Sequence, residues 1–251
     1  MSPYPLMYHD IVAEGRDDAS GFAGAAAGRY KLTLEQFDDH LRAIAQSVET
    51  PPSLTFDDGG ASAMCVADKL ERAGWRGLFF VTTAYIGRVG FLTRRQLLDL
   101  RHRGHTIGSH SWSHPAGMSR LSSAELGVEW QRSVDELAAT LGEGILTASV
   151  PGGSYSRRVG DTVAAAGVRV LFTSRPTGRH VRHGTLTVVG RYAVRRGTGA
   201  HRAAAVAAGS VLPRIGQLVW WDAKTAVKSI AASLGVRSGR IPPPQGRSAP
   251  A

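Results

Sequence analysis

The chain has 251 residues, 43% of them hydrophobic, with 30 glycines and a formal charge of +10, enough for one well-buried core of barrel size with an appendage. Its single cysteine, Cys65, excludes an internal disulfide, and the absence of any Asn excludes N-glycosylation. No apolar run is long enough to span a bilayer and no basic, apolar leader opens the sequence, which predicts a cytoplasmic protein or one whose leader was removed before this numbering begins.

Taken in order, Pro5-Leu6-Met7-Tyr8-His9 reads as a first strand ending in a histidine, whose plainest role is a ring hydrogen-bonded to backbone. Gly15 to Arg29 is rich in Gly and Ala and reads as a mobile loop. Thr33-Leu34-Glu35-Gln36 resembles a capping box and opens a helix with Leu34, Phe37, Leu41 and Ile44 at core spacing. Thr50-Pro51-Pro52 ends it. Leu54-Thr55-Phe56 is then a buried strand that stops in Asp57-Asp58-Gly59-Gly60, where the glycines permit a sharp turn. Adjacent carboxylates repel unless a cation or a proton lies between them, so this pair asks for a metal ion or a raised pKa; a simple Asp-Gly turn is the bland alternative.

A helix around Ala61 to Ala73 carries Cys65 as a packing thiol. It leads to Gly77-Leu78-Phe79-Phe80-Val81-Thr82, a continuous apolar run suited to a buried parallel strand. A capped helix from Thr93 to Arg103 feeds Thr106-Ile107 and then Gly108-Ser109-His110-Ser111-Trp112-Ser113-His114-Pro115. On a helical turn, histidines four apart share one face, the geometry a divalent metal needs, although such a pair is often a surface accident. Joined by Asp58, the pair completes a two-His, one-carboxylate set with open positions, which is the pattern of catalytic metal sites.

Ser122 to Glu125 caps a long helix to about Leu141, followed by a strand from Leu146 to Val150 and the turn Pro151-Gly152-Gly153-Ser154-Tyr155. A helix near Val159 to Ala166, the strand Val168 to Thr173 and a weaker strand near Leu186 to Val189 continue the alternation. About seven such units predict a closed (β/α) barrel. Sites in barrels lie at strand carboxyl ends, where His9, Asp57, Asp58, His110 and Pro151 all fall.

Thr55-Phe56-Asp57-Asp58-Gly59 together with His110-Ser-Trp-Ser-His114 resembles the paired signature of the polysaccharide deacetylases, the NodB-type carbohydrate esterases, over roughly Pro5 to Tyr192. The resemblance implies a distorted α/β barrel, with Asp57 as catalytic base and Asp58, His110 and His114 holding a divalent metal, zinc first and cobalt, nickel, iron or manganese after it. Met7-Tyr8-His9-Asp10 resembles the N-terminal motif of a circularly permuted branch, which assigns the catalytic acid to His9. Pro151-Gly152-Gly153 occupies the third motif, but Val150 stands where that motif has the Arg that orients the base. Arg191 is the candidate substitute. The Gly152 N–H is a candidate oxyanion donor, Tyr155 a substrate contact in the same turn, and Trp112 a sugar platform or a packing residue.

Residues 175–251 hold 13 Lys and Arg against the single acid Asp222, a net of +12, whereas residues 1–174 hold 17 against 19. A catalytic domain over 1–200, a basic helical extension over 201–240 and a disordered tail over 241–251 follow. Ala203 to Ala208 reads as helix, and Leu218-Val219-Trp220-Trp221 with Lys224 and Lys228 reads as an interfacial helix. Residues 211–235 therefore dock on an anionic membrane surface, at the inner face, or else cover the barrel. Nothing has the aromatic-basic periodicity of a nucleic-acid module. The function predicted is removal of N-acetyl groups from N-acetylhexosamine residues of a glycan, with a decayed scaffold or a deacylase of another amide as the alternatives.

Overall fold

A computed structural model describes residues 4–177, 180–219 and 221–222. The chain opens with β1 (Leu6–Tyr8) and β2 (Ile11–Val12), passes a 3₁₀ turn at Asp17–Ala19 and the short helix α1 (Ala25–Gly28), and reaches α2 (Leu34–Ser47) through β3 (Leu32–Thr33). Strands and helices then alternate as β4 (Leu54–Phe56), α3 (Ala63–Arg72), β5 (Gly77–Val81), α4 (Arg94–His102), β6 (Thr106–Ser109), α5 (Ser123–Leu141), β7 (Thr147–Ser149), α6 (Arg157–Ala165) and β8 (Val170–Thr173). β9 (Val181–His183), β10 (Leu186–Gly190), β11 (Tyr192–Ala193) and α7 (Ala200–Ala207) complete the order.

Three helices start where the sequence places a capping box. Thr33 with Gln36, Thr93 with Gln96 and Ser122 with Glu125 each exchange both reciprocal hydrogen bonds, which satisfies amide donors that a helix start leaves unpaired.

The main sheet is a curled, mostly parallel one with strand order β11-β1-β4-β5-β6-β7-β8-β10-β9, the sheet of a distorted barrel. It has nine strands rather than the seven expected. One addition, β9, is an antiparallel return onto β10. The other, β11, pairs with β1 and is separated from β10 by Arg191 alone, so the chain itself joins the two regions of the sheet. Strand periodicity divides the side chains: Phe79 and Val81 join the large core under the helices, while Phe80, Phe172 and Val189 form a small cluster on the opposite face.

The segment from Gly15 to Arg29 is built rather than a plain loop. The Lys31 ammonium is buried and donates to the carbonyls of Asp17, Ser20 and Phe22 at 2.6, 2.5 and 2.6 Å. The predicted extension also starts inside the fold, because α7 packs Ala203, Ala204, Val206 and Ala207 into the main core. Residues 212–219 are helical. The Gln217 amide exchanges two 2.8 Å hydrogen bonds with the Ala193 backbone, and Asp222 pairs with Arg175 at 3.3 Å, so this helix is fastened beside β11. Residues 223–251, including Lys224, Lys228 and the predicted disordered tail, lie outside the described residues.

Candidate active site

Asp57 and Asp58 leave the carboxyl end of β4. The Asp57 N–H donates to the Tyr8 carbonyl at 3.0 Å, which continues the strand pairing by one residue. Asp58 then takes a left-handed φ of 78°, sparsely populated for any residue with a Cβ, and Gly59 follows at 81°. Gly60 answers a different need: a Cβ there would stand 1.9 Å from Asp10 Oδ1, so only glycine fits.

His110 follows β6, where its N–H donates to the Val81 carbonyl at 2.9 Å. Its Nδ1 lies 2.9 Å from the Ser149 carbonyl, which can only accept, so Nδ1 carries the hydrogen and Nε2 faces Asp58. His114 does not reach the site on a helical turn, as its spacing suggested. Residues 110–114 form an irregular loop with left-handed Ser111 (φ 62°) and His114 (φ 58°), and the Ser111 hydroxyl accepts from the His114 N–H at 3.2 Å.

This loop brings His110 Nε2 and His114 Nε2 to 3.4 and 3.5 Å from Asp58 Oδ1. Among the described residues these three form a group able to hold a metal ion. Ligands about 2.0–2.2 Å from a tetrahedral ion stand roughly 3.3–3.6 Å apart, so the spacing fits a cation at the centre. Asp58 Oδ1 is buried with no hydrogen-bond partner, which leaves it a costly orphan unless a cation sits there.

Charge points the same way. Burial opposes ionisation of Asp58, but His110, His9 and His114 outweigh it and hold the carboxyl far below the usual range. Burial alone would strip the proton from His110; Asp57 and Asp58 overcome it and push the ring's pKa up. Burial dominates at His114, lowering it to about 4. Arg191 balances the charge of Asp57, and the charge of Asp58 remains, which a proton on His110 or a cation answers.

Asp57 is locked by Arg191. The buried guanidinium donates to Asp57 Oδ1 at 2.7 Å and Oδ2 at 2.9 Å, to the Thr55 hydroxyl at 2.8 Å, to the Ser149 hydroxyl at 2.6 Å and to the Thr173 carbonyl at 3.3 Å. All five of its N–H groups are thereby used. Burial would raise the Asp57 pKa, but Arg191 and His110 turn the shift downward and keep it ionised.

His9 lies at the end of β1 against Tyr30, ring centres 4.8 Å apart, close enough to lower the pKa of both aspartates. Its Nδ1 is buried and has no partner. Gly152 is exposed with φ 56° and nothing within 4 Å of where a Cβ would stand. Trp112 is half-buried, with the Arg132 guanidinium 3.8 Å over its ring. Tyr155 goes elsewhere: its hydroxyl lies against Gly160, with Asp161 and Arg157 the charges nearest it, so it packs onto α6 instead of joining the aspartates.

Sequence reasoning passed over Ser149, whose hydroxyl donates to Asp57 Oδ2 at 3.1 Å, and Phe22, whose ring lies 4.9 Å from that of His114. Ser149 was discoverable as the polar residue in an otherwise apolar strand end; Phe22 sits in a segment with no periodicity to read.

Residues 47–171 match the family model described as polysaccharide deacetylase. A curated relative, the peptidoglycan-N-acetylglucosamine deacetylase PgdA of Listeria monocytogenes, is 37% identical over 76 residues, covering 30% of this chain and 15% of that protein. Among solved structures, the Streptococcus pyogenes deacetylase PplD in complex with acetate superposes with a TM-score of 0.69 at 16% identity, covering 82% of this chain and 98% of that one. IcaB from Ammonifex degensii gives 0.65 at 18% identity, covering 83% and 99%. These structural likenesses are likenesses of fold.

Proposed function

We propose that this chain is a metal-dependent hydrolase that removes N-acetyl groups from N-acetylhexosamine residues of a polysaccharide or glycan precursor. The observation that carries the reading is Asp58 Oδ1, buried and unpartnered between two imidazole nitrogens at 3.4 and 3.5 Å. The family match and the deacetylase named among the relatives support the substrate class.

Asp58, His110 and His114 hold the cation; their mixed nitrogen and oxygen donors suit zinc, and also cobalt, nickel, iron or manganese. A divalent ion bound there supplies a lowered pKa for water and polarisation of the acetamide carbonyl. Asp57, ionised and clamped by Arg191, accepts the proton of the attacking water. Arg191 takes the orienting role that Val150 cannot fill. The Gly152 N–H donates to the developing oxyanion. His9 delivers a proton to the departing amine, an acid from the start of the chain as in the circularly permuted branch that its motif resembles.

The alternative of a decayed scaffold rests on the missing Arg at position 150, and the Arg191 guanidinium bonded to Asp57 favours the enzyme reading over it. Acetate release from short chitin and poly-N-acetylglucosamine oligomers tests the function. Release is expected, its loss with a chelator, and its return on adding a divalent ion. Release that a chelator leaves untouched would overturn the metal role, and no release from any N-acetylated glycan beside release from another amide would overturn the substrate class. The extension adds a second contact, with an anionic membrane surface, favoured by the apolar side chains that the helix at 212–219 leaves exposed.

A further inference from the structure

A single turn of α5 holds the loop that carries His110 and His114. The Glu129 carboxylate accepts from the Ser113 N–H at 2.9 Å and from the Ser113 hydroxyl at 2.6 Å, and the Glu129 carbonyl accepts from the Trp112 N–H at 3.1 Å. Three residues on, Arg132 lies over the Trp112 ring. The next residue, Ser133, has its hydroxyl 2.7 Å from that of Ser109, whose oxygen accepts the Ser111 N–H at 3.1 Å. Glu129, Arg132 and Ser133 share one helix face by their spacing, so three attachments along five residues of loop meet one rigid surface.

The loop needs such a template. Left-handed backbone at Ser111 and His114 costs on the order of 1–3 kcal/mol apiece and persists only where the surroundings over-determine it. Released, the loop would relax toward ordinary backbone and carry His114 Nε2 away from Asp58. Glu129 is also an expensive choice of fastener. It is 9% exposed and pairs with no cation among the described residues, so its charge is held mainly by the two donors of Ser113.

We infer that Glu129, acting through Ser113, is a positioning residue that presets the two imidazoles for the cation. The inference rests on the metal-site reading above. Mere attachment of α5 to the barrel would affect stability; positioning affects metal affinity.

The test is titration of the metal-free full chain with Zn2+ by calorimetry and with Co2+ by its visible absorption, alongside denaturant unfolding of the same samples. Glu129→Ala is expected to weaken binding about 10–100-fold, as loss of an outer-shell partner does. Ser113→Ala is expected to weaken it in the same direction, and the double variant to bind no more weakly than Glu129→Ala, because both act through one contact. Glu129→Gln, which keeps an acceptor for Ser113, should retain most of the affinity. Wild-type affinity in Ser113→Ala and Glu129→Ala, or losses that simply add, would overturn the inference while leaving the metal site intact. Should Glu129→Ala not fold, Ser113→Ala against Glu129→Gln still decides it. A wild-type chain that binds neither ion overturns the metal-site reading and this inference together.

Discussion

At Asp57 the chain buries a carboxylate and an arginine together, each useless without the other. Arg191 donates two of its five hydrogen bonds to Asp57 and the rest to Thr55, Ser149 and the Thr173 carbonyl, joining the carboxyl ends of β4, β7 and β8. Removing one partner of such a pair leaves an uncompensated buried charge, at about 3–5 kcal/mol. Arg191→Met should therefore destabilise the chain by that order in urea unfolding, and should abolish activity by letting the Asp57 pKa rise. Adding Asp57→Asn to it should recover part of the lost stability, because the orphaned charge disappears; no recovery would argue that Arg191 serves packing alone. Asp57→Asn by itself should keep metal affinity and lose acetate release, whereas Asp58→Ala and His110→Ala should lose both. An active Asp57→Asn would remove Asp57 from the role of base.

The elements differ in how openly the sequence declares them. Capping boxes at Thr33, Thr93 and Ser122 were readable because Thr or Ser followed three residues later by Gln or Glu is a local hydrogen-bond circuit, independent of the rest of the fold. The loop at 110–114 was misread as a helical turn although Pro115 disfavours helical backbone at His114. Strands β9 and β11 gave no signal, since two or three residues hold no period and their pairing depends on a distant edge. One coupling between elements has a measurable pH signature. His40 of α2 lies 3.1 Å from the Tyr8 hydroxyl of β1 through Nδ1 and 2.8 Å from the Thr198 carbonyl through Nε2. The carbonyl requires Nε2–H, so in the neutral ring Nδ1 accepts from the tyrosine. Burial lowers its pKa below the ordinary 6.5. The unfolded chain then binds this proton first, so the stabilisation is complete above pH 6.5 and falls away as the pH drops through that value. Urea unfolding at pH 7.5 and 5.5 should show wild type losing stability on acidification, and His40→Gln losing less; equal losses would mean that His40 titrates alike in both states. His105 and His114, which burial also shifts down, account for a slope that remains in the variant.

Over the whole molecule, the barrel and the candidate group Asp58, His110 and His114 were legible because apolar strands recur between capped helices and because Asp58 and His110 stand just past the ends of β4 and β6. The extension was only half legible: its charge was plain, but not that Gln217 and Asp222 fasten it beside β11. That fastening gives the proposed membrane contact a direction. Arg214, over the Tyr4 ring at 4.4 Å, and Gln217 hold one side of the helix at 212–219. Leu212, Ile215 and Val219, at helical spacing on the other, are 81%, 48% and 64% exposed. No helix among the described residues is long and apolar enough to cross a membrane. An apolar stripe in a region of net charge +12 matches an anionic interface, where both burial and charge favour binding. Co-sedimentation should detect the full chain on vesicles containing phosphatidylglycerol and much less on phosphatidylcholine alone, with binding weakened by salt. Replacing Leu212, Ile215 and Val219 together by Ser should reduce binding at least about tenfold, since each buried aliphatic side chain contributes roughly 1.5–3 kcal/mol, and should leave acetate release from soluble oligomers unchanged. Equal sedimentation of this variant and wild type would mean that the stripe does not touch lipid, and that the helix serves only to cover the barrel's edge.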